Sequence, residues 1–311
     1  MLNVKCPLCL NNNISVIDNL NKDYLSKMYK KIFNISIGLD YILNDILLTQ
    51  CNFCDLKFFY PMITGDEDFY DSLQKNYWYY LAHKSEYNFA KKFVRSNHDV
   101  LEIGCGYGAF AEMIECKSYT GLEFSPEAIK KANNKGISVY KQNIEDHAEN
   151  HYSKYDIVCF FQVLEHVYNV RSFIESAIRC LKNNGILIIS VPSDDSFIGQ
   201  SINNLSNMPP HHVTRWTDKC LFNISELFNI KVLEVEHEIL KDTDIYYYCK
   251  CILINSLCNI FKIKKKVRDW KFNFFPMKFI IKILSLFLAF GLKPEQLRPR
   301  GHSVNVAYHK P

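Results

Sequence analysis

A chain of 311 residues, 48% of them hydrophobic and 23% charged, has room for about two domains and the composition of a soluble globular protein, which excludes a disordered or fibrous chain. Its formal net charge of +4 gives no argument for a nucleic-acid partner. The first residues lack the basic and apolar regions of a signal peptide, so we expect a cytoplasmic protein.

Paired cysteines distinguish the first part of the chain, residues 1–65. The two C-x-x-C pairs consist of Cys6 and Cys9, and of Cys51 and Cys54. In a reducing compartment, two such pairs supply the four thiolates that tetrahedral zinc prefers. We therefore predict a structural zinc site, although Leu10 and Asp55 stand where zinc knuckles often have glycine. Four ordinary buried cysteines are the alternative interpretation.

The next stretch, residues 66–98, is acidic and aromatic and contains the run Tyr77, Trp78, Tyr79 and Tyr80. Rings of this kind combine apolar area with a polar tip. We predict a helical cover over a binding site, with interdomain packing as the alternative.

Residues 99–240 alternate short apolar runs with segments of helical spacing. We predict strands at 99–104, 118–123, 137–141, 155–161, 186–191 and 228–239, a last strand at 303–309 within residues 301–311, and helices at 108–116, 126–135 and 169–182. Such alternation predicts right-handed crossovers and a parallel, doubly wound α/β sheet. In these sheets ligands bind beyond the carboxyl ends of the strands.

A glycine-rich turn follows the first of these strands. Gly104, Gly106 and Gly108 can adopt positive φ and let a ligand approach the backbone closely, so the turn is a candidate nucleotide cradle. The turn also satisfies the loose dinucleotide pattern G-x-G-x-x-G/A, with Glu123 nineteen residues after the first glycine. By itself, the turn therefore leaves NAD open as the ligand.

Four ordered stretches resemble the class I S-adenosylmethionine-dependent methyltransferases: LEIGCGYG at 101–108, GLEFSPEAI at 121–129, YDIVCFFQVLEHV at 155–167 and NGILIISVPS at 184–193. The cysteine pairs, the Tyr77-Trp78 region and Pro209-Pro210-His211-His212 are similar to bacterial members with an N-terminal zinc unit, often associated with sugar or polysaccharide pathways. The resemblance implies a seven-stranded, mostly parallel, Rossmann-like sheet. It also implies a small zinc-ribbon-like N-terminal unit and a helical insert before the last strand.

The resemblance implies a set of cofactor-binding residues at the strand ends: Glu102, Gly104, Gly106 and Gly108; Glu123 and Phe124; Asn143 and Ile144; Phe161 and Gln162. The glycines would hold the methionine and ribose, and Glu123 would accept bonds from the ribose hydroxyls. Phe124 would lie beside the adenine, and Phe161 and Gln162 would flank the sulfonium. Asn143 stands where the family usually has an acidic residue for the adenine amino group; its amide oxygen can accept that bond without charge.

Methyl transfer requires alignment of donor and acceptor and removal of the acceptor's proton, a task that suits histidine near neutral pH. His166 follows the fourth strand, and His211 and His212 lie in the loop after the fifth. We predict His212 as the base or acceptor contact and His166 as the next candidate, with loop architecture as the alternative. The fourth strand does not end in the Asn/Asp-Pro-Pro-Tyr motif of many nitrogen methylators, which favours oxygen or carbon acceptors.

Residues 241–300 form an insert that is basic and then strongly apolar. Pro276, Lys278 and Lys282 interrupt the apolar part, which is therefore a poor candidate for a bilayer crossing. We predict a helical insert, with peripheral contact to the inner face of a membrane through residues 261–292 as one interpretation. Burial under a lid or in a dimer interface is the other.

Together these features predict methyl transfer from S-adenosylmethionine to a hydroxyl or carbon of a sugar or glycan. An RNA methyltransferase, an NAD-dependent oxidoreductase and a noncatalytic module that binds zinc or a cofactor are the alternatives. The basic run favours the first of these alternatives, and the overall charge does not.

Overall fold

The computed structural model of the chain describes residues 4–39, 42–74, 84–263, 267 and 275–311. The aromatic run predicted as a cover, 77–80, lies outside these residues. The basic residues between 264 and 274 also lie outside them.

The first part of the chain forms a small antiparallel sheet with one helix. Its elements are β1 (Ile14–Leu20), α1 (Lys22–Phe33), β2 (Ile46–Cys51) and β3 (Lys57–Tyr60). The helix starts where the Asn21 side chain accepts a hydrogen bond from the Tyr24 backbone N–H, and it ends at Asn34, which adopts the left-handed conformation. Two short helices then lead towards the core, α2 (Glu67–Gln74) and α3 (Ser85–Lys91).

The core alternates strands and helices. Its elements are β4 (Asp99–Ile103), β5 (Ser118–Leu122), α4 (Pro126–Asn134), β6 (Val139–Tyr140), α5 (Ile144–Asn150), β7 (Tyr155–Phe161), α6 (Val170–Cys180) and β8 (Leu181–Pro192). The remaining elements are β9 (Thr214–Arg215), α7 (Asp218–Phe228), β10 (Lys231–Ile239), α8 (Ile245–Ile260), α9 (Phe275–Gly291) and β11 (Arg300–His309). Within the described ranges, every helix is too short or too polar to cross a membrane.

Seven strands form the main sheet in the order β10-β11-β8-β7-β4-β5-β6. The five strands from β8 to β6 run parallel, whereas β11 lies antiparallel to both of its neighbours. The prediction of a doubly wound, mostly parallel seven-stranded sheet is confirmed. The carboxyl ends of the parallel strands meet at one edge, where sheets of this kind bind their ligands.

Both faces of the main sheet are buried, as its continuous apolar strands predict. In β7, Val158 and Phe160 belong to the apolar core on one face, while Ile157, Cys159 and Phe161 belong to the core on the other. Side chains alternate between faces along a strand, so this one run of residues serves both cores.

The helix predicted over 108–116 is wrong. After the glycine turn the chain forms turns and a single 3-10 turn at Ala111–Met113. Gly108, the first residue of the predicted helix, has φ of +77°, which lies outside the right-handed helical region, so no α-helix can begin there.

The four-stranded sheet draws on two distant parts of the chain, in the order β1-β2-β3-β9. Lys57 pairs with Arg215 and Phe58 with Thr214 across the β3–β9 contact. The N-terminal unit therefore includes a strand that directly follows the His211-His212 loop.

Candidate functional site

The glycine turn lies at the carboxyl end of β4, and each of its glycines has positive φ. The φ angles are +71° at Gly104, +54° at Gly106 and +77° at Gly108. A Cβ at Gly104 would lie 2.5 Å from Cγ2 of Val163, and one at Gly108 would lie 2.6 Å from Cδ1 of Ile137. Gly104 therefore requires glycine for steric as well as conformational reasons, whereas at Gly108 the positive φ is the main constraint because the end of the Ile137 side chain can move.

Glu123 links this turn to the end of β5. One carboxylate oxygen accepts a hydrogen bond from Gly106 N–H at 2.9 Å, and the other accepts from the N–H groups of Phe124 and Ser125 at 2.7 and 3.0 Å. The Phe124 ring beside it is 61% exposed. The structure thus brings Gly106, Glu123 and Phe124 together in the arrangement expected of a nucleoside cradle.

Glu102 lies beneath the turn and is 1% exposed. The Tyr119 hydroxyl donates a hydrogen bond to its carboxyl group. Burial raises the pKa of Glu102 to about 8. Tyr119, on the neighbouring strand β5, thus holds the buried Glu102 side chain in place.

The two residues predicted to face the adenine have other contacts. Asn143 caps α5, where its side-chain oxygen accepts a hydrogen bond from Asp146 N–H at 2.7 Å. Ile144 is 1% exposed and belongs to the hydrophobic core. Their roles towards a cofactor stay predictions, and the observed contacts give them capping and packing roles.

The end of β7 carries Phe161 and Gln162. The Phe161 ring meets Tyr87 and Phe110 edge to face, with centroid distances of 5.2 and 5.1 Å. Gln162 has φ of +57°, and its side chain donates to the Ser303 hydroxyl at 3.2 Å. Tyr87 and Ser303 come from distant elements, and no sequence motif had marked either of them.

His166, His211 and His212 form one cluster, in which a ring nitrogen of each lies within 4.8 Å of the others. The rings of His211 and His212 stack with centroids 4.4 Å apart, and the His166 ring lies 4.8 and 5.0 Å from them. The backbone N–H of Val213 donates to the carbonyl of Glu165 at 2.8 Å. This hydrogen bond links the loop after β7 to the loop that contains His211 and His212. The structure therefore joins the three histidines, although whether one is a base stays a prediction.

Hydrogen bonds set the tautomer of each ring. Nδ1 of His166 lies 2.6 Å from the His211 carbonyl, Nδ1 of His211 lies 2.7 Å from the Ser206 carbonyl, and Nδ1 of His212 lies 3.1 Å from Oδ1 of Asn207. A carbonyl oxygen only accepts, so Nδ1 carries the hydrogen in the neutral ring. Nε2 of His166 and of His212 then presents a lone pair.

Glu165 faces these rings, and no sequence motif had indicated its role. Its Oε1 lies 3.8 Å from Nε2 of His166 and 3.9 Å from Nε2 of His212, and within the described chain its Oε2 has no hydrogen-bond partner. Burial raises the pKa of Glu165 to about 8 and lowers that of His166 to about 3 and that of His211 to about 4. At neutral pH the histidine cluster is therefore mainly uncharged.

The four paired cysteines meet in one cluster: Cys6, Cys9, Cys51 and Cys54. Their sulfur atoms all lie within 4.8 Å of one another, and the two closest approaches are 3.5 Å. Four thiolates on zinc at about 2.3 Å require sulfur separations of about 3.8 Å. The donor set and its spacing therefore fit a tetrahedral zinc ion.

Each cysteine pair sits on a tight backbone turn of the same form. Leu10 has φ of +64° and donates its N–H to the Cys6 carbonyl, and Asp55 has φ of +69° and donates to the Cys51 carbonyl. These two residues adopt the left-handed conformation that glycine would adopt at lower cost. The bulky residues noted in the sequence thus leave the knuckle geometry intact.

A cavity of about 190 Å³ lies between the four-stranded sheet and the loop that follows β8. Apolar residues form most of its accessible wall, and the polar part comes from Asp18, Lys57, Asp194, Gln200, Ser201 and Arg215. Nζ of Lys57 lies 2.5 Å from Asp194, while Arg215 Nε and Asp194 Oδ1 have no hydrogen-bond partner among the described residues. The wall therefore retains unused donors and acceptors.

Asn207 connects the cavity to the histidine cluster. Its side-chain oxygen lies against Nδ1 of His212, and its backbone carbonyl accepts a hydrogen bond from Arg215 Nη2 at 2.7 Å. A shift of Arg215 in the cavity wall would therefore be transmitted to His212 through Asn207.

The glycine turn, the carboxylate after the second core strand and the doubly wound sheet define the class I, Rossmann-like methyltransferase fold. The family model described as "Methyltransferase domain" matches residues 73–235, more than half of the chain, and the chain belongs to this family. Its members are S-adenosylmethionine-dependent enzymes.

Among curated proteins, the chain is 33% identical over 119 residues to a ubiquinone biosynthesis O-methyltransferase of Klebsiella pneumoniae, covering 36% of this chain and 46% of the relative. It is also 33% identical over 119 residues to the protein of that name from Escherichia coli, covering 36% of this chain and 47% of the relative. The chain thus spans about half the length of the curated relatives it matches.

Two solved structures are similar at low identity. A SAM-dependent methyltransferase from Archaeoglobus fulgidus is 16% identical, with a TM-score of 0.48, over 79% of this chain and 100% of that one. A possible histamine N-methyltransferase from Thermotoga maritima is 17% identical, with a TM-score of 0.48, over 78% of this chain and 97% of that one.

Proposed function

We propose that this protein transfers a methyl group from S-adenosylmethionine to a sugar or glycan, most readily to a hydroxyl oxygen. The observation that carries the proposal is the convergence of the glycine turn, Glu123 and the histidine cluster at the carboxyl end of one parallel sheet. When bound, the cofactor supplies a methyl carbon activated by positive sulfur. The protein then has to hold the two reactants and accept one proton.

The turn and Glu123 support the cofactor assignment. The carboxylate of Glu123, held beside the turn by the Gly106 N–H, can accept hydrogen bonds from the two ribose hydroxyls of a nucleoside. Gly104 and Gly108 keep the backbone open for close approach. Phe124 would cover one face of the base.

The histidine cluster supports general-base catalysis. Nε2 of His212 or His166 would take the proton from the acceptor hydroxyl, because Nδ1 of each ring already holds its hydrogen against an acceptor. A protonated imidazole would favour the carboxylate form of Glu165, whose Oε1 lies 3.8 and 3.9 Å from these nitrogens. Glu165 would thus balance the charge that the ring gains.

The cavity supports an acceptor that has both polar and apolar surface. Its mainly apolar lining also contains two cations, two carboxylates, one amide and one hydroxyl, which can donate to and accept from sugar hydroxyls, and its volume of about 190 Å³ suits one sugar ring. The relatives reported above are named ubiquinone biosynthesis O-methyltransferases, which supports oxygen as the acceptor atom.

We also propose that the cysteine cluster holds a structural zinc ion. The metal would fix β2 and β3 through their cysteine turns. Because β3 pairs with β9, it would also support the loop that ends in His212. Its role would be to position this loop and not to take part in the chemistry.

The experiment that tests the function is methyl-label transfer from S-adenosylmethionine to nucleotide sugars, oligosaccharides and a demethylated quinone precursor. We expect label in a sugar product, and label only in the quinone would replace the sugar by a phenolic acceptor. Calorimetric titration separates the cofactors: we expect S-adenosylhomocysteine to bind and NAD not to bind. A protein that binds NAD alone would be an oxidoreductase, and one that binds neither would contradict the proposal.

A further inference from the structure

A helix of a globular protein usually buries its large apolar side chains, but α9 exposes most of those that are described. Ile281 and Ser285 are its buried residues among those whose side chains are described, and Ala289 is half-buried. The most exposed large apolar side chains are Phe279, Ile280, Leu286, Phe287 and Phe290. Phe287 is 74% exposed and Phe290 71%.

The buried residues of α9 form a narrow stripe that packs against α8. Ile281, Ser285 and Ala289 are spaced by four and so share one face of the helix. The Ser285 hydroxyl donates to the Ile281 carbonyl and is satisfied within the helix. In α6, by contrast, Phe173 and Ile174 face the core. The exposed large residues of α9 therefore lie outside the described core and form an apolar surface.

Charge is concentrated in the same part of the chain. Residues 241–300 contain 13 Lys and Arg against four Asp and Glu, out of 37 and 33 in the whole chain, so the remainder is net acidic. Lys282 is exposed on α9, Lys293 is exposed just after α9, and Lys262 is exposed just after α8. The apolar surface is thus flanked by cations.

The charge of the insert indicates what binds to the apolar surface of α9. A second copy would bring two strongly cationic inserts together, which is unfavourable, whereas anionic headgroups attract lysines and the interface accepts apolar side chains. The 17 residues of α9 do not span a bilayer, so the helix would lie within one leaflet's interface. We propose that the exposed face of α9, with its basic flanks, docks this protein on an anionic membrane surface.

The docked insert also contacts the cavity. Asn255 of α8 donates to the side-chain oxygen of Gln200, which lines the cavity, and Tyr248 of α8 packs against Phe197 of the same loop. The insert that contacts lipid is therefore in direct contact with the acceptor cavity. The docking itself does not depend on the proposed function.

The test is co-sedimentation of the full chain with vesicles of phosphatidylcholine containing about 30% phosphatidylglycerol, compared with vesicles of phosphatidylcholine alone. We expect binding to the anionic vesicles only, weakening as salt rises. The double variant F287S/F290S should lose at least about tenfold in partitioning, because two aromatic side chains no longer enter the interface. The variant K282Q/K293Q should bind more weakly to anionic vesicles while keeping its apolar surface.

Phe222→Ser is the matched control, since Phe222 is 49% exposed on α7, outside the insert. It should bind like the parent, and unchanged thermal melting should show that every variant is folded. Failure of the parent to bind anionic vesicles, or equal binding by F287S/F290S, would overturn the proposal. A parent that is dimeric by light scattering and a double variant that is monomeric would assign the surface to a second copy. Because vesicle binding needs no methyl acceptor, failure here is distinguishable from failure of the proposed function.

Discussion

The chemistry of the histidine cluster depends on which atom each Nδ1 contacts. Two rings are held by backbone carbonyls and one by an amide oxygen, so loop geometry fixes the tautomer that a base requires. Sequence patterns suggested the three histidines, but not the hydrogen bonds, because the partners Ser206 and Asn207 carry no motif. Glu165 was missed as a participant because only the fold shows that it faces two imidazoles.

Replacing either candidate base tests its role directly. We expect His212→Gln and His166→Gln to lower kcat by about 10²-fold or more if the ring accepts the proton, because general-base catalysis contributes that much. His309→Gln, at the far end of β11, is the control and should retain activity. Full turnover in both site variants would exclude general-base catalysis by either residue.

A second prediction concerns a single glycine of the glycine turn. Gly104 and Gly136 both have positive φ, +71° and +79°, so alanine at either position costs about 1 kcal/mol in backbone strain. Only at Gly104 would the new Cβ also collide with Val163, since the space around Gly136 is open to 4 Å. Gly104→Ala should therefore weaken S-adenosylhomocysteine binding at least about tenfold, measured by calorimetry. Equal affinity in the two variants would contradict the steric argument.

The sequence predicts well those strands that follow from the hydrophobic pattern of neighbouring residues. The strand Tyr155–Phe161 coincides with its prediction because a continuous apolar run reports burial on both faces. The strand predicted at 228–239 begins later, because Asn229 in the left-handed conformation ends α7. The two-residue strand β9 could not be predicted, since its pairing with β3 joins residues far apart in the chain.

For the cysteine unit we predict a coupled loss of bound metal and thermal stability. Cys9→Ser and Cys51→Ser should each lose bound zinc and lower the melting temperature, because a structural zinc ion contributes directly to folding free energy. Metal analysis and calorimetry measure the two effects. Cys116→Ser, at a half-buried cysteine outside the cluster, should keep both properties. A fully folded, metal-free parent protein would contradict the zinc proposal.

At the scale of the whole molecule, the buried histidines predict sensitivity to acid. Burial lowers the pKa of His166 to about 3 and that of His211 to about 4, so below pH about 6.5 the unfolded chain binds protons that the folded chain does not. Their contribution to the unfolding free energy is complete above that pH. It falls by up to about 1.4 kcal/mol per histidine for each further pH unit.

Denaturant titrations between pH 7 and 5 measure this loss. His211→Asn should show a shallower pH dependence than the parent, since one neutral buried ring is removed. Glu165, whose pKa is raised to about 8, acts in the opposite sense and loses stability as pH rises from about 4.5 to 8. Identical slopes for parent and variant, at equal zinc content, would contradict the assignment of acid sensitivity to this cluster.

The pairing of β3 with β9 has a consequence for how the chain can be divided. A truncated protein that began at residue 66 would retain every strand of the main sheet, and by its sequence it would pass for a complete methyltransferase domain. It would lack the partner of Thr214 and Arg215, and the loop ending in His212 would be left on an unpaired edge. We expect such a fragment to bind the cofactor and to turn over poorly. We therefore expect the smallest active unit to include the four paired cysteines and not to begin at the Rossmann-like sheet.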